Sequence, residues 1–292
     1  MDLRETIGNP CSSALLCAVG VVLTVLVLEL VQKYLKNSRN VICIGAVSQL
    51  VIYPMKSGKG VNVTSTECVE MGLKCGEMKD RHWLVVRENG KPMSTREEPR
   101  LVLVLWREGI QGRDCGDEAS LWLSSFVNTG KTFRLVQFEP HMSPRNPGKK
   151  LPLIPDNEKV AYADICAIML LSEASVTDLN TRLEFDVTAT WFRPNIVISG
   201  CEAFEEDSWD QIQIGNVKLR RVMSCSRCLS VTVDPETGVT DRKEPLQTLK
   251  TYRMCDSSEK KFYKTSPLFG QYYSVERNGI IQVGDPVYKI GY

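Results

Sequence analysis

Short runs of β-branched and aromatic residues recur along this chain, each closed by Gly, Pro, Asn or Asp, and that pattern leaves little room for a helical fold. Residues 41–53, 83–86, 101–104, 132–138, 196–199, 211–214, 217–222, 280–283 and 287–290 all read as strands. Gly215-Asn216 lies between two of these runs as a two-residue hairpin turn. Gly284-Asp285-Pro286 suggests a second hairpin, joining 280–283 to 287–290. Helical pattern is confined to three places: 118–127, a stretch from Ser175 to about Leu183 opened by a Ser175/Asp178 capping box, and 246–253. The expectation is a mainly β (α+β) chain. Its 292 residues suffice for a membrane anchor and two modest domains with real cores.

The N-terminus differs from the rest. Residues 7–28 carry no charge, and 14–28 are almost wholly aliphatic. Such a run just reaches the length of a transmembrane helix, about 20 residues. Asp2, Arg4 and Glu5 nearly cancel before it, whereas Lys33, Lys36 and Arg39 follow it. A basic C-terminal flank puts the globular part in the cytosol, and a cleaved signal peptide would want its charge in front. Lys plus Arg total 36 against 35 Asp plus Glu, a balance that gives no reason to expect nucleic acid. Eleven scattered cysteines point to a reducing compartment.

Cys225 and Cys228 stand three apart in Arg221-Val-Met-Ser-Cys-Ser-Arg-Cys228. Alternation at Leu229, Val231 and Val233 predicts a strand after them, closed by the turn Asp234-Pro-Glu-Thr-Gly238. Three readings compete. Zinc normally needs four ligands, and this chain has no second Cys-x-x-Cys and only His82 and His141 as histidines. A thioredoxin-like pair opens a helix, whereas a strand is expected here. Two ordinary buried cysteines are the default, and from spacing alone that reading ranks first.

Other candidates are equally open on residues alone. Pro54-Met-Lys-Ser-Gly-Lys-Gly60 is a basic glycine-bearing turn first and a phosphate loop second. Arg81 is an exposed residue at a strand start, and Asp164 caps a turn. Arg193 offers a guanidinium fork and Asn195 an amide beside a strand. Residues 141–155, rich in Pro, Gly, Asn and basic side chains, read as a linker or surface loop with a solvated charged face.

Resemblance orders these candidates. Cys225-Ser-Arg-Cys228 with Thr232-Val-Asp-Pro-Glu-Thr-Gly238 resembles the molybdenum-ligand segment of MOSC-domain proteins, most closely the amidoxime reducing component family. In the same order come Gln49-Leu-Val-Ile-Tyr-Pro-Met-Lys-Ser57, Lys79-Asp-Arg81, Gly112-Arg-Asp-Cys-Gly116, Phe138-Glu-Pro-His-Met142, Leu171-Ser-Glu-Ala-Ser175, Phe192-Arg-Pro-Asn-Ile-Val-Ile-Ser-Gly200 and Ser266-Pro-Leu-Phe-Gly-Gln-Tyr272. The resemblance implies an anchor over 1–40, a MOSC N-terminal β-barrel-like domain over 41–141 and a MOSC β-barrel over 142–292. It implies that Cys228 ligates the metal of a molybdopterin cofactor. Lys56, Ser57, Arg81, Arg193, Asn195, Ser226, Arg227 and Tyr272 would contact that cofactor, with Asp164 near the metal in a proton-handling or orienting role. The implied reaction is reduction of N-hydroxylated compounds such as amidoximes to amidines. Electrons would come from NADH through cytochrome b5 reductase and cytochrome b5, at the mitochondrial outer membrane, with the globular part facing the cytosol. A cofactor carrier without catalysis, or an inactive shortened form, is the alternative. Two departures stand out. Only residues 105–111 separate the strand at 101–104 from Gly112, where the family has several strands. Of the family's loop near the metal, Asp164-Ile-Cys-Ala167 keeps only Asp164 in type.

Overall fold

The computed structural model describes residues 41–87, 108–149 and 151–291, with 28–29 and 104–105 besides. The uncharged run 7–28 lies outside the described residues except for Leu28, as do 101–103 of the strand expected at 101–104. Among the described residues no helix is long and apolar enough to cross a membrane.

In chain order the first strands are β1 (Val41–Ile52), β2 (Val61–Val63), β3 (Ser65–Val69), β4 (Gly72–Cys75), β5 (Met78–Lys79) and β6 (Trp83–Arg87). The short strands β7 (Val104–Leu105), β8 (Glu108–Gly109) and β9 (Arg113–Asp114) precede helix α1 (Asp117–Val127) and β10 (Phe133–Gln137). Then come β11 (Ile168–Ser172), α2 (Glu173–Asn180), β12 (Ile196–Ser199), β13 (Gln211–Ile214), β14 (Val217–Ser226), α3 (Leu246–Tyr252), β15 (Leu268–Arg277), β16 (Gly279–Gln282) and β17 (Pro286–Ile290).

Seven strands close a barrel. They run in the order β12-β11-β15-β14-β13-β17-β1, and an antiparallel β1–β12 pairing, Leu50 opposite Ile196, joins the ends. β1, at the start of the segment, is therefore a stave of the same barrel as the C-terminal strands. The β11–β12 pair is parallel, Leu170 opposite Ile196. Strict alternation splits these two strands between two cores. Ile168, Leu170, Ile196 and Ile198 pack with Val47, Leu50, Trp209 and Leu219. Met169, Leu171 and Val197 pack on the other face with Phe192, Leu249 and Phe269. Burial on both faces is why these runs are continuously apolar. Two smaller sheets flank the barrel, β6-β10-β9 and β16-β3-β4-β5. α1 is fastened to β10 by its hydroxyls: Ser120 Oγ donates to Phe133 O at 2.6 Å, and Phe133 N donates to Ser124 Oγ at 2.9 Å.

Four local expectations are corrected. Cys228 is not followed by a strand: residues Leu229–Thr232 form a 3₁₀ turn, and the adjacent Val231 and Thr232 are both buried, which alternation forbids. α2 is capped by Ser172, whose hydroxyl accepts from Ser175 N at 3.1 Å, so the Ser175/Asp178 capping box does not form. The terminal runs do not pair with each other: β16 pairs with β3, whereas β17 pairs with β13. In the 141–155 segment Arg145 is buried and donates to Ala163 O at 2.6 Å, so its charge does not belong to a solvated face.

Candidate active site

The site is assembled where the end of β1, the 79–82 segment and the start of β12 meet. Tyr53 follows β1 directly. Its N–H donates to Asp80 Oδ1 at 2.8 Å, and its carbonyl accepts from Arg81 N at 2.6 Å. Asp80 is 2 % exposed and also accepts from Asn195 Nδ2 at 2.9 Å, while its Oδ2 pairs with Arg81 Nη1. Asn195 holds three segments together: its Nδ2 donates also to Val51 O at 3.2 Å, and its Oδ1 accepts from Met169 N at 3.1 Å and Arg81 Nη1 at 3.3 Å. One buried carboxylate and one amide thus fix Arg81 against the barrel wall.

Two guanidiniums share one ring. Arg81 Cζ lies 4.7 Å and Arg193 Cζ 4.3 Å from the centroid of Tyr53. Both arginines sit at positive φ, 50° and 56°, a conformation that L-residues adopt at a cost of about 1–2 kcal/mol. Cation–π attraction and the Asp80 charge offset their mutual repulsion. Burial, and then Arg81, pulls Arg193 down to about 10. Burial would lower Arg81 too, but Asp80 more than compensates and the group is raised. Tyr53 is pushed up to about 12 by burial against the arginines' pull.

Lys56 stands beside this pair. Its ammonium, 16 % exposed, is ion-paired with Asp164, which is 48 % exposed. Burial lowers the Lys56 amine and Asp164 opposes that shift. Asp164 in turn acts electrostatically on Arg193, Cys225 and Tyr272. Lys56, Arg81, Asp164, Arg193, Asn195 and Tyr272 therefore form one electrostatic neighbourhood, which the sequence spreads over more than 200 positions. Ser57 is exposed at φ 64°, on the outside of the loop.

Cys225 shares a buried cluster with Met169. β14 runs unbroken to Ser226, which is half-buried opposite Leu268 of β15. Cys225 is 2 % exposed, and burial raises its thiol. Tyr272, on β15, lies against it and is raised well above the usual phenol range, by burial first and Cys225 second. Arg227 is inward: Nε donates to Phe269 O at 2.7 Å, Nη1 to Phe192 O at 2.9 Å, and Nη2 also reaches Phe269 O. Gly270 makes room for it. A Cβ there would meet Leu170 O at 2.8 Å and Arg227 Nη2 at 3.3 Å. Cys228 is exposed, with Sγ 3.2 Å from Ser230 Oγ. Directly after a fully engaged arginine, a thiol faces outward on a tight turn.

Sequence reading passed over Tyr53, Asp80 and Gly270, although all three fall inside the motifs quoted above. A buried acid beside an arginine in Lys79-Asp-Arg81 was the available signal.

The donor set suits one kind of ligand. Among the described residues, Tyr53 Oη and Arg193 Nη2 are buried with no hydrogen-bond partner, and both are donors beside positive charge. Among the described residues no group of three His, Cys, Asp or Glu side chains is arranged to hold a bare metal ion. The buried cationic side chains with unfilled donors fit an anionic group.

Comparison with known proteins gives the family. Residues 157–288 match the MOSC domain, and residues 44–107 match the MOSC N-terminal beta barrel domain. The chain is 47% identical over 329 aligned positions, covering 100% of both chains, to mitochondrial amidoxime-reducing component 1 of Danio rerio. The chain belongs to the mitochondrial amidoxime-reducing component family. Within the family it is also 49% identical to component 1 of Homo sapiens and to component 2 of Bos taurus, each over 85% of this chain and 84% of the relative. The 329 aligned positions exceed this chain's 292 residues, so the fish family member carries residues that this one lacks.

Proposed function

We propose that this chain is a molybdenum-cofactor reductase acting on small N-hydroxylated compounds, reducing amidoximes to amidines. The observation that carries the reading is the pairing of two features in a family of this name: a buried cationic cradle with unfilled donors, and an exposed thiol at Cys228. Lys56, Arg81 and Arg193 would hold the anionic part of the cofactor, with Ser57 and Ser226 at its edge. Asn195 and Arg227 spend their donors on protein carbonyls and Asp80, so their part is to set the positions of the others. Cys228 would supply the protein's metal ligand. The bound cofactor supplies two-electron chemistry with oxygen removal from nitrogen; the chain binds, orients and shields it. Asp164, half-exposed beside Lys56, orients that lysine and is the candidate for proton handling.

Electrons would arrive one at a time from NADH through cytochrome b5 reductase and cytochrome b5. Relatives named mitochondrial, and the uncharged run 7–28, support a mitochondrial membrane site, with the outer membrane and a cytosolic globular part as the specific proposal. We take 1–40 as the anchor, 41–141 as the N-terminal β domain and 142–292 as the MOSC domain. The missing positions favour one second reading, an inactive shortened form that retains the anchor.

The deciding experiment measures molybdenum and pterin in the full chain purified from a host that makes the cofactor, then amidoxime turnover with cytochrome b5 and its reductase. Near-stoichiometric metal with turnover is expected. Metal without turnover would leave a carrier, and a folded chain without metal would sink the enzyme reading. Cys228→Ser should abolish metal and turnover, while Cys225→Ser, at a buried position, should weaken turnover less. Equal metal in the Cys228 variant and the parent would remove the ligand assignment.

A further inference from the structure

We propose that the Tyr53 hydroxyl and Arg193 Nη2 are ligand donors that the 57–60 segment keeps covered, and that an anionic group of the bound ligand receives both when that segment shifts. This deepens the cofactor reading above and rests on it for the identity of the ligand. Buried donors in native chains are nearly always paired, so two orphans in one stack call for a missing acceptor. They belong together: Arg193 packs on the Tyr53 ring, with Cζ 4.3 Å from its centroid. Tyr53 is 1 % exposed, so no solute reaches its hydroxyl while the segment stays in place.

The segment's position is visible at two glycines. Gly58 O accepts from Arg193 Nη1 at 2.7 Å. A Cβ on Gly60 would stand 2.7 Å from Cε1 of Tyr53, so the backbone there lies directly on the ring edge. Pro54–Lys56 is fixed by backbone bonds to Trp83, Lys56 N donating to Trp83 O at 2.8 Å and Trp83 N to Pro54 O at 3.0 Å, and by Met55 packed against Val85, Leu123 and Phe133. The side-chain fastenings around 57–60 are polar and replaceable. Lys56 is paired with the half-exposed Asp164, and Lys59 with Glu236 at 2.6 Å, where both side chains are about two-thirds exposed at 65% and 66%. Ion pairs of that exposure hold weakly against an entering anion. The anion would exchange partners with groups already in place: Arg193 leaves Gly58 O and Lys56 leaves Asp164. Tyr53 Oη then gains the acceptor it lacks.

This predicts opposite signs for one substitution. Tyr53→Phe removes only the hydroxyl and keeps the ring under both guanidiniums. Made without cofactor, the full-length variant should melt about 2–4 °C above the parent, because an unpaired buried donor is gone. Its affinity for inorganic phosphate, read as protection against thermal unfolding, should fall roughly tenfold, the loss of one good hydrogen bond. Its pterin content from a cofactor-making host should fall as well. A tyrosine that merely packs would leave phosphate affinity alone, since Phe keeps the ring, and that outcome overturns the proposal. So does equal pterin and phosphate binding in variant and parent, or a parent that binds neither. A parent that binds phosphate but no pterin, with the variant weakened, would keep the donors and sink the cofactor reading instead.

Discussion

Asp80 and Glu206 are both buried carboxylates, at 2% and 0% exposure, and they are held in opposite ways. Asp80 meets a guanidinium, a backbone N–H and an amide, so both of its oxygens are engaged. Among the described residues Glu206 meets no cation. Its Oε1 accepts from Ser175 Oγ at 2.7 Å and Ser172 N at 3.3 Å, and its Oε2 has no partner. Burial raises the Glu206 carboxyl accordingly. The first arrangement holds a charged cradle in a fixed place. The second, whose proton burial holds more tightly, ties the 205–208 turn to the start of α2. Burial alone does not mark a functional carboxylate; the partner does.

Removing Asp80 should have the larger effect. Asp80→Ala leaves Arg81 buried without its counter-charge and frees Tyr53 N and Asn195 Nδ2 at once. Breaking a buried pair in this way costs about 3–5 kcal/mol. Urea unfolding should show that loss, and pterin content should fall with it. A loss below about 1 kcal/mol would mean that Arg81 finds water or another acceptor, and the contrast with Glu206 would collapse.

Glu206→Gln sharpens the other side, and its sign depends on pH. The folded chain holds the Glu206 proton more tightly than the unfolded chain does. Its contribution is therefore fully present below the ordinary carboxylate range and is lost as pH rises through the raised value. The Gln variant cannot ionise, so it should match the parent near pH 4 and exceed it near pH 8, by about 1–2 kcal/mol. Urea midpoints at the two pH values check this. A variant weaker than the parent at pH 8 would show that the ionised acid is satisfied by a group outside the described residues.

Part of this was legible in the sequence. Alternating β-branched runs located the barrel staves at 41–53, 196–199 and 211–222, because strands buried on one or two faces must repeat with period two or be continuously apolar. Leu229, Val231 and Val233 alternate too, yet Thr232 Oγ1 bonds back to Leu229 O at 2.9 Å and the segment turns. A hydroxyl that satisfies the backbone locally competes with a strand, and alternation carries no trace of that. The terminal hairpin failed for a topological reason: β17 is taken by β13 and β1, leaving β16 to a different sheet. Of the site, the motifs supplied Lys56, Arg81, Arg193 and Cys228. They did not show that Asn195 and Arg227 would be consumed internally, since hydrogen-bond partners more than 30 positions away are not visible in a short motif.

Asp164 lies between the two carboxylates in kind and offers the smallest effect. It has a cation, Lys56, but is 48% exposed, so water screens the pair and Asp164→Asn should cost under about 1 kcal/mol. The pH dependence is informative. Burial lowers the Lys56 amine and Asp164 opposes that shift, so the variant's lysine falls further. A lysine depressed in the folded state costs stability below its unfolded range, and that cost disappears as pH rises through it. The deficit of Asp164→Asn against the parent should thus be present at pH 7 and shrink toward pH 10. An orienting Asp164 predicts this small, pH-dependent deficit with molybdenum content near the parent's. A hundredfold loss of turnover at unchanged metal content would instead make the carboxylate a proton-handling group, with Lys56 as the partner that keeps it ionised.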